Sequence, residues 1–198
     1  MSPLNEEQLQ QIRDERKEQI MKAALNIFAR RGIIGTKLSM IATEAGISQG
    51  LLYHYFKSKD ELFIVLIEQA LQESIEGLKS IYHLPGTPLD KVREMTRLFQ
   101  EGQPYFMLIH QARTSDGVPE QAKRLIEGHS METYVVDILE PLFIEGQKTG
   151  DFTSGDPRQL ISAYFTVISG LMTLNINADN AYQMPDVDLL LRIVSGRP

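Results

Sequence analysis

The chain has 198 residues, of which 42% are hydrophobic, with no cysteine and a net charge of −6. The lack of cysteine excludes disulfides and Cys-ligated zinc, and the longest apolar run, residues 62–67, is too short to span a bilayer. The polar, acidic start is unlike a signal peptide, so the sequence predicts a cytoplasmic protein with no membrane partner.

The first predicted helix has a clear helical pattern from about Arg13 to Arg31, and the polar residues 1–12 are expected to be a frayed or extended start to the same helix. Apolar residues recur along it at helical spacing. Arg30 and Arg31 precede Gly32, and this order is typical of a helix C-terminus, where cations favour the negative end of the helix dipole.

Residues 38–56 predict two short helices joined by a tight turn. Gly46 is expected to end the first helix in a left-handed conformation, and Ser48 to cap the second, which runs from Gln49 to about Phe56. Such a pair forms a helix-turn-helix, whose second helix can enter the major groove of DNA. The first of the two helices carries an apolar face made by Leu38, Ile41, Ala42 and Ala45.

The outer face of the second helix favours a DNA contact. Gln49 can hydrogen-bond a base edge, best the N6/N7 pair of adenine, and Gly50, which costs about 1 kcal/mol relative to alanine, would permit close approach to a duplex. Further side chains that can reach phosphate oxygens are Tyr53, His54, Tyr55 and Lys59. The alternative is that the aromatic and histidine side chains cover the core and Gln49 is simply solvated; for Tyr55 both interpretations stay open.

The remaining elements are also predicted to be helical. Ser58 begins a long linking helix to about Tyr82, with Glu61 completing a capping box. Pro141 is expected to kink the third of the helices that follow. Those helices are predicted at residues 88–101, 103–113, 119–149, 156–178 and 186–195. No strand alternation or internal repeat is visible, so the chain is predicted to be all-α.

The charges divide unevenly along the chain. Residues 1–60 hold nine Lys/Arg and seven Asp/Glu, whereas residues 61–198 hold eleven and nineteen. Between Lys22 and Lys59, six basic residues stand against Glu44 alone. Because salt screens charges beyond about 8–10 Å, this local excess matters more for phosphate attraction than the acidic total.

The residues of this N-terminal segment resemble the TetR (tetracycline-repressor-like) family. The resemblance covers about residues 14–74. It is carried by Gly35-Thr36, Ile41-Ala42, Ala45-Gly46-Ile47-Ser48, Gly50, Leu52-Tyr53-His54-Tyr55-Phe56, Lys59 and Leu62. It implies a three-helix DNA-binding head joined by a long helix to an all-helical ligand-binding and dimerisation body, residues 75–198.

The resemblance also implies contacts with double-stranded DNA at a palindromic operator. By position these fall on Thr36, Lys37, Ser39, Ser48, Gln49, Gly50, Leu51, Tyr53, His54, Tyr55 and Lys59. Many members have a hydroxyl where this chain has Lys37. Thr36 is therefore expected to cap the second helix, with Lys37 adding a phosphate contact.

The helix predicted at residues 156–178 is apolar nearly all round and must be buried, either centrally or against another subunit. Together with residues 186–195, it is predicted to form a two-fold four-helix bundle with its copy in a homodimer. A purely internal core is the alternative. The residues assigned to this interface are Tyr164, Ile168, Leu171, Met172, Leu190 and Val194.

A small-molecule inducer of unknown identity is expected to bind in the body, although core packing is the default for each lining residue. The predicted lining is Met95, Phe99, Tyr105, Phe106, His110, Arg113, Met131, Tyr134 and Phe165. The four histidines lack metal-ligand spacing, and no nucleophile or phosphate-loop motif occurs, so no cofactor, metal or enzymatic activity is predicted.

The leading hypothesis is a homodimeric, ligand-responsive transcriptional regulator, most simply a repressor that is released from DNA by an apolar ligand. Two alternatives stay open. One is a helix-turn-helix regulator without a small-molecule ligand, controlled by a protein partner or by its own concentration. The other is a helical scaffold without DNA binding.

Overall fold

The computed structural model of the protein describes residues 5–128, 131–174 and 184–196. Helices dominate these residues, which confirms the predicted all-α fold, and Phe152 and Ser195 form an isolated antiparallel bridge. Among the described residues, no helix is long and apolar enough to cross a bilayer. The helices are α1 (Glu6–Arg31), α2 (Leu38–Glu44), α3 (Gln49–Tyr55), α4 (Lys59–Ser80), a 3₁₀ turn (Ile81–His83), α5 (Pro88–Glu101), α6 (Gln103–Thr114), α7 (Glu120–Glu127), α8 (Met131–Thr149), α9 (Pro157–Leu174) and α10 (Val187–Leu191).

Helix α1 begins at Glu6, seven residues before the clear helical pattern at Arg13. Asn5 is its N-cap: the Gln8 backbone N–H donates to Asn5 Oδ1 over 2.8 Å, and Asn5 N–H donates to Gln8 Oε1 over 3.0 Å. This reciprocal capping box stabilises a first turn that is exposed to solvent. The sequence predicts residues 1–12 as a frayed or extended start to this helix, because apolar spacing is weak before residue 20.

The start of α4 confirms half of the predicted capping box. The backbone N–H of Glu61 donates to Ser58 Oγ over 3.0 Å. The Glu61 carboxylate instead accepts from the backbone N–H of Lys57 over 2.7 Å, one residue before the N-cap. In a capping box, the Glu61 side chain would accept from the backbone N–H of Ser58. In the structure it accepts from the N–H of Lys57 instead.

The single long helix predicted over residues 119–149 is wrong. Helix α7 ends at Glu127, Gly128 is a turn residue, and α8 begins at Met131 and continues through Pro141. The reason is that glycine favours helix ends, a signal that the uninterrupted apolar spacing concealed. Helix α10, with Asp186 as N-cap, is also shorter than predicted, and the predicted end of α9 at residue 178 lies outside the described residues.

The chain forms two compact units. The first comprises the residues up to Ala70 together with Met107–Ile126. Its core is formed by buried side chains of α1 to α4 and α6 to α7, with Phe28 and Phe63 edge-to-face at 5.1 Å. The domain boundary near residue 74 stays a prediction, although residues 107–126 pack with the first unit.

The second unit comprises Leu71–Phe106 and the residues from Glu127 onward. Its core is built mainly from α5, α8, α9 and α10, and Phe143 stacks on Phe152 with ring centroids 4.4 Å apart. Thr96 and Tyr164 are both 1% exposed, and their hydroxyl oxygens lie 2.7 Å apart inside this core.

This core corrects the predicted dimer interface. Five of the six residues assigned to the predicted interface are buried within the second unit, each at most 4% exposed. They are therefore unavailable to another subunit. Periodicity identified a buried face but not the partner that buries it. The five are Tyr164, Ile168, Met172, Leu190 and Val194; the sixth, Leu171, is partly buried against the same core.

Candidate nucleic-acid interface

The helix-turn-helix forms as predicted, from α2, α3 and the turn between them. Gly46 has φ +63°, the left-handed conformation expected at the end of α2. The backbone N–H of Ile47 donates to Ala42 O over 2.9 Å and that of Gly46 to Thr43 O over 3.0 Å. These two bonds form a Schellman motif, which satisfies the last carbonyls of α2 and reverses the chain toward α3.

Two side chains fix this turn. Ser48 Oγ accepts the backbone N–H of Leu51 over 3.1 Å and so caps α3, as predicted. Gln19 of α1 donates from Nε2 to Ala45 O over 2.6 Å. The Gln19 contact joins residues 26 positions apart, and local spacing gives no signal for it.

Helix α3 packs one face inward and leaves the other exposed. Leu52 is fully buried, and Phe56, the C-cap of the helix, is 2% exposed. Tyr53 is 48% exposed. Of the other predicted contacts on this helix, Gln49, Gly50 and His54 are exposed, whereas Leu51 and Tyr55 are half-buried.

Gly50 lies on the exposed face of α3. A Cβ added there would have Ser48 Oγ as its nearest neighbour, 4.0 Å away. Packing within the described chain therefore leaves room for a larger residue at this position. Because Gly50 has no side chain, the backbone of α3 is directly accessible at its first turn.

The start of α2 departs from the expectation for Thr36. Its side chain is 1% exposed, and its hydroxyl donates to Gly32 O over 2.6 Å. Lys37 takes the N-cap position of α2 through its backbone. Thr36 is therefore a buried loop residue and not the cap, and it cannot present its hydroxyl at the surface. Lys37 and Ser39 are exposed.

Lys59 is engaged within the first unit. Its Nζ donates to Ile33 O over 2.7 Å and to Thr36 O over 3.1 Å, and the residue is half-buried. The predicted role, a phosphate contact at the start of α4, did not anticipate these carbonyl partners. They lie 26 and 23 positions away in the sequence.

Basic residues precede and follow the helix-turn-helix in the sequence. Of the six between residues 22 and 59, all but Lys59 are exposed: Lys22, Arg30, Arg31, Lys37 and Lys57. Exposed cations of this kind can attract phosphate at low salt, and within residues 22–59 Glu44 is the one acidic residue.

The residues predicted to line a ligand pocket divide between the two units. His110 and Arg113 belong to α6 of the first unit, and Arg113 is exposed. In the second unit, Met95 is 4% exposed, and Phe99 packs edge-to-face on Phe165 at 5.4 Å. Three others there are half-buried: Tyr105, Phe106 and Tyr134; the side chain of Met131 lies outside the described residues. The described surface has two depressions, one along residues 7–18 of α1 and one along residues 121–125 of α7. Neither depression is lined by a residue of the predicted ligand pocket.

Helix α9 has a second face, opposite its buried one. Val167 is 39% and Leu174 61% exposed, and small or hydroxyl side chains lie between them. Near α10, Leu189 and Ile193 are 55% and 39% exposed. The exposed face of α9 consists of Ser162, Ala163, Thr166, Val167, Gly170, Thr173 and Leu174.

Comparison with known proteins addresses this helix-turn-helix directly. Residues 20–66, which contain α2, α3 and the start of α4, match the family model described as bacterial regulatory proteins, tetR family. Those residues carry a helix-turn-helix of the TetR type. The family suggested by the residues of the N-terminal segment is thereby confirmed.

Two relatives illustrate how far the TetR-family likeness extends. The uncharacterized HTH-type transcriptional regulator YerO of Bacillus subtilis is 31% identical over 125 residues, which is 61% of this chain and 43% of YerO. The chain thus spans less than half the length of that relative. The fatty acid metabolism regulator protein of Bacillus subtilis is 25% identical over 184 residues, covering 90% of this chain and 93% of the relative.

A solved structure extends the likeness of fold. The MbdR regulator from Azoarcus sp. CIB matches with a TM-score of 0.72 at 20% identity, covering 92% of this chain and 99% of MbdR. The chain therefore has the same fold as MbdR. YerO is named as a transcriptional regulator and the second relative as a regulator protein, in agreement with the expectation that this chain is not an enzyme.

Proposed function

We propose that this protein is a homodimeric transcriptional repressor that binds a palindromic operator through α3 and is released by a small, largely apolar ligand. The observation that carries the proposal is the exposed face of α3, on which Gln49, Gly50, Tyr53 and His54 all meet solvent. An α-helix that presents polar side chains beside basic residues is suited to the major groove. A cytoplasmic location follows from the need to reach DNA.

Gln49 is proposed to read a base edge, and Tyr53 and His54 to reach phosphate oxygens. Lys37 and Ser39 at the start of α2 are proposed to add phosphate contacts, as is Ser48 at the start of α3. Leu51 and Tyr55 are half-buried and would contribute through their exposed portions. Thr36 is left out because its side chain is buried.

The proposed dimer uses the exposed face of α9 together with Leu189 and Ile193. Val167 and Leu174 would bury apolar area against the partner, and Ala163 and Gly170 would let two copies of α9 approach closely. A two-fold dimer would place its α3 helices about 34–36 Å apart, one turn of DNA.

The ligand is proposed to bind in the second unit, among its half-buried aromatic side chains. Gln100 supports this proposal: its Nε2 is buried, and no acceptor for it lies among the described residues. A buried donor without an acceptor is unfavourable. A neutral carbonyl or ether oxygen on an otherwise apolar ligand would satisfy Gln100 without burying a charge.

DNA binding is tested by selecting duplexes from a random pool with the purified protein and measuring affinity by fluorescence anisotropy at several salt concentrations. The proposal expects a palindromic consensus and an affinity that falls as salt rises. A protein that enriches no consensus, and whose weak binding is the same for every duplex, would be a scaffold without operator recognition. Native mass spectrometry of the purified protein would detect a co-purified ligand and report the oligomeric state.

A further inference from the structure

Gln19 is the residue through which the N-terminal part of α1 reaches the helix-turn-helix. The described hydrogen bonds of residues 5–16 stay within α1 and its N-cap. The side chain of Gln19 leaves the helix: its Nε2 donates to Ala45 O over 2.6 Å. Ala45 is the C-cap of α2 and is 3% exposed. A hydrogen bond therefore joins α1 to the turn between α2 and α3 at Gln19.

The carbonyl of Ala45 depends on this side chain for a partner. The carbonyls of residues 41–43 accept the backbone N–H groups of residues 45–47, but no described backbone N–H donates to Ala45 O. The last carbonyls of a helix lack partners within it, and a buried acceptor without a donor is unfavourable. Gln19 supplies the donor for Ala45 O.

Arg16 orients the amide of Gln19. Its Nη1 donates to Gln19 Oε1 over 2.7 Å, one turn earlier on α1. An amide carries its acceptor on the oxygen and its donors on the nitrogen, and hydrogen bonds from a charged donor are among the stronger ones. With the oxygen held by the guanidinium group, the nitrogen is the end of the amide that faces Ala45 O.

The bond from Gln19 acts on the turn just before α3. Ala45 O belongs to the peptide unit that joins Ala45 to Gly46, and Gly46 turns the chain with φ +63°. Because a peptide unit is planar, holding this oxygen restrains the plane from which the turn begins. Ser48 then caps α3 and Gln49 begins it. The direction of Gln49 therefore depends in part on Gln19.

Other contacts keep the helix-turn-helix folded when this bond is lost. The Schellman bonds of the turn, the Ser48 cap and the buried side chain of Leu52 do not involve Gln19. Loss of the Gln19 donor should therefore leave α2 and α3 formed, with the turn between them less sharply fixed against α1.

We propose that Gln19 is a positioning residue for base readout, which holds the turn between α2 and α3 and thereby places Gln49 against its base edge. The inference rests on the proposed DNA-binding function. It extends the machinery of DNA binding to α1, because the matched TetR-type segment begins at residue 20, one position after Gln19.

The test is a double-mutant cycle between Q19M and Q49A. Methionine is similar in length to glutamine but cannot donate a hydrogen bond to Ala45 O. Anisotropy is measured on the duplex selected by the wild type and on a scrambled duplex. Q19M should weaken binding of the selected duplex by about fivefold, the worth of one hydrogen bond, with little change on the scrambled duplex. The double variant should bind little more weakly than Q49A alone, because both changes remove the same readout.

Q11M is the matched control. Gln11 also lies on α1, but its Nε2 donates to the Glu15 carboxylate within the same helix, over 3.0 Å. Q11M should leave affinity for both duplexes unchanged, alone and together with Q49A.

Three results would overturn the inference. The first is a Q19M protein that binds the selected duplex as tightly as the wild type, even if urea unfolding shows lower stability. The second is an equal loss on both duplexes, and the third is a loss that adds in full to that of Q49A. The last two results would mean that Gln19 acts on its own and not through the turn.

A measurement on the wild type covers the case in which Q19M does not fold. In NMR spectra, a coupling across the hydrogen bond between Gln19 Nε2 and the Ala45 carbonyl carbon should be present in the free protein and persist when the duplex is added. Disappearance of this coupling in the complex overturns the inference alone. A wild type that selects no duplex overturns the proposed function and this inference together.

Discussion

Two glycines four residues apart in the helix-turn-helix have different physical roles. Gly46 adopts φ +63°, whereas Gly50 lies in the first turn of α3 with open space around it. The left-handed backbone conformation therefore explains why a glycine is present at position 46, but no such conformation explains the glycine at position 50. The proposed reason for Gly50 is the approach of a duplex to the surface of α3.

G50A is expected to stabilise the protein by up to about 1 kcal/mol, because alanine is the better helix former and its methyl group would meet no described atom closer than 4.0 Å. The same variant should bind the selected duplex more weakly, because the methyl group would stand between α3 and the DNA. Urea unfolding and anisotropy measure the two effects. Unchanged affinity in a stabilised variant would mean that Gly50 is not a point of close approach.

The Thr96–Tyr164 pair gives a pH-dependent contribution to stability. Burial raises the pKa of the Tyr164 phenol, and the hydrogen bond with Thr96 opposes this only in part. Because the folded pKa lies above the ordinary value of about 10, this contribution is complete below pH 10. It is lost as pH rises through the folded pKa, since unfolding then releases a proton.

Y164F should therefore be less stable than the wild type by about 1 kcal/mol at pH 8, the worth of one neutral hydrogen bond. The difference should shrink or change sign near pH 11, because phenylalanine has no proton to lose. Urea unfolding at both pH values measures it. A constant difference across this range would show that Tyr164 does not titrate differently in the folded and unfolded states.

At the scale of elements, the turn between α2 and α3 depends on Gly46. The left-handed conformation costs a residue with a Cβ about 1–2 kcal/mol, and a Cβ on Gly46 would meet no described atom within 4 Å. G46A should therefore lower the free energy of unfolding by about that amount without a steric clash. G50A, which changes the same atoms in the same motif, is the matched control and should shift stability in the opposite direction. Equal shifts in both variants would contradict this account of the turn.

Sequence predicted the elements whose signals are local. The Gly46 turn and the Ser48 and Ser58 caps each join residues a few positions apart, and the structure has all three. The contacts of Lys59 and Gln19 join residues 23 to 26 positions apart, and no local pattern announces them. The break at Gly128 was missed because one glycine within a periodic run was outweighed by the apolar spacing on both sides.

The dimer interface illustrates a different limit. Helical periodicity on α9 correctly marked Tyr164, Ile168 and Met172 as buried. It could not distinguish burial within one chain from burial between two, because both remove the same apolar area from water. The exposed face of α9 could be identified only when the other helices of the second unit were in place.

For the whole molecule, the proposed function requires two copies of α3 at a fixed separation, since a palindromic operator presents two half-sites. One helix-turn-helix alone would bind DNA with few contacts and strong salt dependence. The exposed apolar residues of α9 and those near α10 are the part of the second unit with which a copy of this chain could pair. Operator affinity should therefore depend on residues far from α2 and α3 in the sequence.

V167E is the variant that tests this dependence. Val167 is 39% exposed, so a glutamate there should leave the protomer folded, whereas two copies facing each other would bury unpaired charges. We expect a monomer at micromolar concentration by sedimentation velocity, an unchanged helical circular dichroism spectrum, and at least a tenfold loss of affinity for the palindromic duplex. Affinity for a single half-site should change little. Q121E, which adds the same charge at an exposed position of α7, should leave both the dimer and DNA binding intact. A V167E protein that still sediments as a dimer would show that this face of α9 is not the interface.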